Sequence, residues 1–273
     1  PNRQAAMTSS AKALMTRRHA LGTLAALASG LAQAQPAAPG GATDLRALVA
    51  AAKPSVFAIG LFSRMAKPAF RFSGTCFAIP GGLFVTCAHV IQLPNLANRE
   101  FVAVAIPSPG GHKIIEVKVV ATNRENDLAV VEPVNPLTEP VKALQLNNTL
   151  PAEGTEIVLI GYPIGSALGL HAATHRGIVS AVVPMAFPLP TTTGLEARNV
   201  QALRAAPLEI LQLDATAYPG NSGSPVIDTH TGQVLAVVSL TMIKGTRESA
   251  MTSPSGISYA VPVQHLTGMI PTR

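Results

Sequence analysis

Between Asp44 and Ala52 the apolar positions of "DLRALVAAA" recur at helical spacing, with Asp44 placed to cap the first turn and Pro54 to stop the last. Beyond that point the pattern changes. Apolar residues fall into short runs rich in Val, Ile, Leu and Phe: "SVFAIGLF", "TCFAI", "LFVTCAHVI", "FVAVAI", "IIEVKVVA", "LAVVEPV", "EIVLIGY", "GIVSAVV", "VLAVVSL" and "ISYAVPV". Pro and Gly separate them, 23 and 22 of the 273 residues, so no run has room to become a long helix. Many short strands between turn residues predict an all-β sandwich or barrel. The Pro-rich "PLTEP" at 136–140 divides the strands into two sets, about 54–135 and about 150–262. Residues 184–207 lack either period and read as a long surface loop, and "VQHLTGMI" (263–270) reads as a closing helix. The whole folded domain is expected over 44–270.

Charge changes the picture at the N-terminus. The formal net charge is +6, but Arg3, Lys12, Arg17 and Arg18 lie within residues 1–34, which hold no acid, so the rest of the chain is near neutral. "MTRRHALGTLAALASGLAQAQ" has a basic start, an apolar stretch over Ala20–Ala32 and a small-x-small cleavage site at Ala32-Gln33-Ala34, the pattern of an export signal. Residues 1–34 are therefore expected to direct export to a periplasmic or secreted location, with 35–43, "QPAAPGGAT", as a flexible linker. No later apolar run is long enough to span a membrane. A near-neutral folded part without Trp excludes a phosphate-backbone binder and an aromatic stacking platform, so no nucleic-acid partner is expected.

Candidate chemistry centres on "YPGNSGSPVID", where Ser222 stands between Gly220 and Gly223. A serine hydroxyl becomes a useful nucleophile only when a base removes its proton, and His is the usual base near neutral pH. Of the seven His, His89 follows the strand "LFVTCA" and sits at its end, where a side chain can face a cleft. His171 and His175 have i,i+4 spacing, but that separates them widely on a strand, and no third ligand is evident. No metal and no cofactor are expected. Asp127, at the start of "DLAVVEP", is the candidate acid that would orient the imidazole. The chain order His89, Asp127, Ser222 excludes the subtilisin and α/β-hydrolase arrangements.

These segments carry a family resemblance. "GTCFAIPGGLFVTCAHVI", "NDLAVV", "LIGYPIG", "RGIVSAV", "LQLDATAYPGNSGSPVID" and "GISYAVPV", in that order from about 45 to 265, resemble the protease domain of the HtrA (Deg) family of trypsin-like serine proteases. The resemblance implies a chymotrypsin-like double β-barrel with a short N-terminal helix and a C-terminal helix. It implies that His89 is the general base, Asp127 the orienting acid and Ser222 the nucleophile, with the N–H groups of Gly220 and Ser222 forming the oxyanion hole. It further implies protein or peptide substrates, such as unfolded or damaged envelope proteins, and a possible homo-oligomer. No C-terminal PDZ module is expected after the protease segment.

Two departures bear on specificity. Ser224 stands where the family usually has a second Gly, and "GNSGSPV" also resembles the V8-type glutamyl endopeptidases. Those carry a His in the strand after the nucleophile, whereas this chain has Val237, Val238 and Ser239. Thr216 occupies the place where trypsin carries its acidic specificity residue. A pocket built from Thr216, Val237, Val238 and Ser239 would favour small or medium uncharged side chains. A protease-like binding or chaperone module with an idle triad is the remaining alternative.

The two cysteines are Cys76 and Cys87. A two-residue hairpin turn at Gly81-Gly82 would bring them face to face, so they are expected either to form a disulfide in an oxidising compartment or to pack as two buried thiols.

Overall fold

The computed structural model describes residues 44–91, 94–95, 98–165, 169–185, 208–240 and 256–271, all within the unit Thr43–Arg273. The expected leader (1–34), linker (35–43) and most of the expected loop at 184–207 lie outside the described residues. The chain opens with helix α1, Leu45–Ala52, capped by the Asp44 carboxylate, which accepts from the Arg46 N–H at 3.0 Å. Pro54 then lies in a short 3₁₀ turn that leads into the first strand.

Among the described residues twelve strands follow in two closed six-stranded barrels, the all-β double barrel that the family resemblance implies. The first barrel holds β1 (Val56–Phe62), β2 (Phe70–Ile79), β3 (Leu83–Cys87), β4 (Phe101–Ser108), β5 (Gly111–Asn123) and β6 (Leu128–Pro133). Its neighbours run β1-β2-β3-β6-β5-β4. The second holds β7 (Glu156–Gly161), β8 (Ala173–Met185), β9 (Leu208–Asp214), β10 (Pro225–Asp228), β11 (Val234–Val238) and β12 (Ile257–Pro262), in the order β10-β11-β12-β9-β8-β7. Closure removes the unpaired edges that open sheets expose. The C-terminal element is a single 3₁₀ turn, Val263–Leu266. Gly268 (φ +84) and Pro271 then prevent a longer helix.

Burial explains the near-continuous apolar runs. β3 and β11 are buried along their whole length, one face toward their own barrel and the other toward the junction. Hydrogen bonds cross that junction. The Tyr162 hydroxyl donates to the Val56 carbonyl at 3.2 Å, and the Cys87 thiol donates to the Val238 carbonyl at 3.2 Å.

Of the two arrangements expected for the cysteines, the structure has the buried thiols. Ile79 faces Leu83 and Phe77 faces Val85, so the hairpin turn has three residues, Pro80-Gly81-Gly82, and not two. A one-residue change of register sends side chains to opposite faces of a sheet. Cys76 accordingly pairs with Phe57 on β1, and Cys87 with Leu128 on β6. Both are free, buried thiols. Burial pushes both far up from the ordinary thiol range, and the neighbouring Asp127 charge adds to the effect at Cys87.

Candidate active site

The first barrel supplies the candidate base, His89, and the candidate acid, Asp127. β3 ends at Cys87, and the 3₁₀ turn Ala88–Val90 swings His89 out of the sheet while Val90 stays buried as an anchor. Pairing of Cys87 with Leu128 brings the start of β6 alongside that turn. Asp127, just before β6, adopts φ +51, a left-handed conformation that Asp tolerates better than most residues. Three hydrogen bonds then join the two segments. The Ala88 N–H donates to the Asp127 carbonyl at 3.0 Å, the His89 N–H to Asp127 Oδ1 at 2.9 Å, and His89 Nδ1 lies 2.7 Å from Asp127 Oδ2. An ionised carboxylate only accepts, so the proton sits on Nδ1 and the lone pair of Nε2 is left for chemistry.

A residue of the second barrel completes the acid's surroundings. Ser239, fully buried just past β11, donates its hydroxyl to Asp127 Oδ2 at 2.6 Å. Burial works to raise the Asp127 carboxyl. The His89 ring, by hydrogen bond and charge, then the Ser239 hydroxyl and the His89 N–H outweigh it and hold the group below its ordinary value of 3.8.

The second barrel also supplies the serine, in the loop between β9 and β10. Four consecutive carbonyls of that loop, Pro219 to Ser222, accept hydrogen bonds. Ile164 N–H donates to Pro219 C=O at 2.7 Å, the Thr75 hydroxyl to Gly220 C=O at 2.8 Å, Ser224 N–H to Asn221 C=O at 2.9 Å, and Thr75 N–H to Ser222 C=O at 2.9 Å. In a planar trans peptide the N–H points opposite to the carbonyl of the preceding residue. Fixing the Pro219 and Asn221 carbonyls therefore aims the N–H groups of Gly220 and Ser222 to the other side. Among the described residues neither N–H has an acceptor. Two N–H donors without an acceptor, one of them the serine's own, are the kind of groups that can receive an oxyanion.

The glycines of the loop answer to backbone geometry. Gly220 has φ +102, and a Cβ there would lie 2.3 Å from the Tyr162 carbonyl oxygen. Gly223 has φ +89, and a Cβ there would lie 2.0 Å from the Thr75 carbonyl oxygen. Ile164, whose N–H holds Pro219, has φ +48 although it is β-branched, a strained conformation that costs on the order of 1–3 kcal/mol.

The structure thus brings His89 and Asp127 into direct contact and places Ser222 beside the two donors. Among the described residues no hydrogen bond joins the Ser222 hydroxyl to the His89 ring. The expected specificity pocket is corrected at three positions. Val237 and Val238 are fully buried, the first in the cluster shared with the first barrel and the second in the interior of the second barrel, so no substrate can touch them. Ser239 is equally inaccessible, its hydroxyl held by Asp127. Thr216 alone of the four is partly exposed, in the loop after β9. Two positions that brace the serine loop escaped the sequence. Thr75 and Ile164 act through contacts between segments far apart in the chain, and no local pattern marks them. His175 lies on β8 with its ring 5.9 Å from that of Tyr218, and among the described residues no metal-ligand cluster includes it or His171.

A double barrel with a serine, two aimed N–H donors and a His–Asp pair at the barrel junction has the architecture of the trypsin-like peptidases. Residues 74–237 match the trypsin-like peptidase domain, and the chain belongs to that family. Its relatives are HtrA- and Do-like. It is 32% identical to Do-like protease 13 of Arabidopsis thaliana over 59% of this chain and 28% of that protein. It is 30% identical to the mitochondrial serine protease HTRA2 of Bos taurus over 75% of this chain and 36% of that protein. The chain thus spans about a third of these relatives' length. Among solved structures it is similar to the active form of the Rv3671c protease of M. tuberculosis. That match has a TM-score of 0.58 and 22% identity, and covers 81% of this chain and 82% of that one. The inactive form of the same protein gives a TM-score of 0.56.

Proposed function

We propose that this chain is an exported serine endopeptidase that hydrolyses unfolded or damaged envelope proteins through an acyl-enzyme on Ser222. The observation that carries the reading is the fixed Nδ1 proton of His89 together with the paired donors at Gly220 and Ser222. His89 Nε2 takes the Ser222 proton as Oγ attacks the scissile carbonyl, and Asp127 stays ionised and holds the imidazolium that forms. The oxyanion receives the Gly220 and Ser222 N–H groups, each contributing about 2.7–4 kcal/mol to the transition state. His89 then protonates the leaving amine, and water releases the acyl group by the same steps. Serine–base hydrogen bonds are often long without substrate, so the Ser222–His89 contact is expected to close on substrate binding.

The export pattern of residues 1–34 supports delivery to the periplasm or beyond, and processed material is expected to begin at Gln35. Thr216 supports a primary pocket for uncharged side chains of Ala to Leu size. The decisive experiment is labelling by a fluorophosphonate probe together with cleavage of unfolded casein. Labelling and cleavage that vanish in Ser222→Ala carry the proposal. An unlabelled, correctly folded chain would mean an idle protease fold that binds, and cleavage confined to Glu at P1 would mean a V8-type enzyme.

A further inference from the structure

Asn221 lies between the two hole donors, and its side chain turns inward to full burial. Among the described residues neither its Oδ1 nor its Nδ2 has a hydrogen-bond partner, and the same is true of the fully buried Ser224 Oγ. Buried carboxamides and hydroxyls without partners are strongly disfavoured, and native proteins pair nearly all of them. These groups share one location. From the point where a Cβ on Gly161 would sit, Ser224 Oγ is 1.9 Å away, Asn221 Oδ1 2.8 Å and Thr75 Oγ1 3.1 Å. Thr75 Oγ1 is already engaged, donating to Gly220 C=O and accepting from the Tyr162 N–H at 3.0 Å. Ser224 and Asn221 are left facing the same spot, with complementary donors and acceptors.

We propose that Ser224 is a positioning residue for the reaction, its hydroxyl pairing with the Asn221 carboxamide behind the oxyanion hole. The pairing is direct or runs through one buried water, which a polar site with three such atoms would hold. Asn221 contributes its carbonyl to the peptide that carries the Ser222 N–H, and its N–H to the peptide that carries the Gly220 carbonyl. Anchoring its side chain therefore stiffens both peptides from below. The backbone bond from Ser224 N–H to Asn221 C=O persists in any substitution except proline, so removing the hydroxyl alone isolates the side chain's part. The inference rests on the endopeptidase reading, because a hole matters only where an oxyanion forms.

The test compares Ser224→Ala and Ser224→Gly with the unsubstituted protein, each normalised by fluorophosphonate titration. Both variants are expected to lose about tenfold in kcat with KM nearly unchanged, since a small misplacement of donors acts on the transition state and not on substrate binding. Affinity for a peptide boronic acid, whose tetrahedral adduct occupies the hole, should fall by the same factor. A purely structural serine would lower the melting temperature and leave kcat per titrated site and boronate affinity unchanged, which would overturn the proposal. A high-resolution crystal structure gives a reading independent of activity. A short Ser224–Asn221 contact or a bridging water sustains the pairing, and two separately oriented side chains refute it. If the unsubstituted protein is not labelled at all, the endopeptidase reading fails, and the crystal structure alone decides the pairing.

Discussion

The Ser239 hydroxyl and the His89 ring N–H meet on the same oxygen, Oδ2 of Asp127, from opposite barrels. The acid is therefore held by two donors of different origin, while its other oxygen takes the His89 N–H. Ser239→Ala removes a buried hydrogen bond to a charged group, worth about 1.5–3 kcal/mol. The carboxyl, now held below 3.8, should rise toward that value. A depressed carboxyl stabilises the fold fully above its unfolded value and loses that contribution as pH falls through the folded one. The variant should therefore lose stability at a higher pH than the parent during acidification. Thermal melts from pH 2 to 7 measure the shift, and kcat/KM at neutral pH should fall in parallel.

Replacing Ser222, the proposed nucleophile, separates chemistry from folding. Ser222→Ala deletes one oxygen at a nearly buried position and leaves every loop carbonyl bond in place. Hydrolysis is expected to fall by roughly 10⁴–10⁶-fold, with His89→Ala losing a comparable amount, because such residues act as a unit. Melting temperatures within a few degrees of the parent would confirm that the fold survives. Residual cleavage in Ser222→Ala above that floor would remove Ser222 from its role.

Thr75→Val tests the clamp behind the loop. Valine nearly matches threonine in shape but neither donates to Gly220 C=O nor accepts from the Tyr162 N–H. The unpaired buried groups should cost about 1–3 kcal/mol of stability. With the Gly220 peptide less restrained, kcat should drop more than KM rises, as steady-state kinetics on a fluorogenic peptide would report.

The thiols provide a direct check on the hairpin. With Cys76 and Cys87 on opposite faces, a thiol reagent should label neither in the native protein and both after unfolding. Reductant should change neither melting temperature nor activity. A cystine-linked peptide in non-reduced mass spectrometry would contradict the three-residue turn.

Much of the fold could be read from the chain because buried strands leave apolar runs that Pro and Gly delimit. Two strands escaped. β10 is four residues long and begins with Pro225, and β9, "LEILQLD", alternates with charged residues directly after a stretch without period. The triad candidates were visible as residue types at strand ends. The roles of Ser239 and Thr75 were not, because each depends on which face meets the other barrel. The cysteine register turned on one extra turn residue, Pro80, a difference that composition does not reveal. Val237 and Val238 were misassigned for a related reason, since β11 is covered on both faces and its run of valines marks interior and not pocket.

The division of the site between two barrels has a consequence for the chain as it is made. His89 and Asp127 belong to a barrel whose last strand ends at Pro133, whereas the serine loop is held by bonds with Thr75 of that barrel and with Ile164 and Val238 of the later chain. A chain made only as far as Pro133 has His89 and Asp127 but still lacks the Ser239 hydroxyl, the Gly220 and Ser222 N–H groups and the Ser222 side chain. The order of synthesis therefore keeps the parts of the proposed site apart until the second barrel has been made.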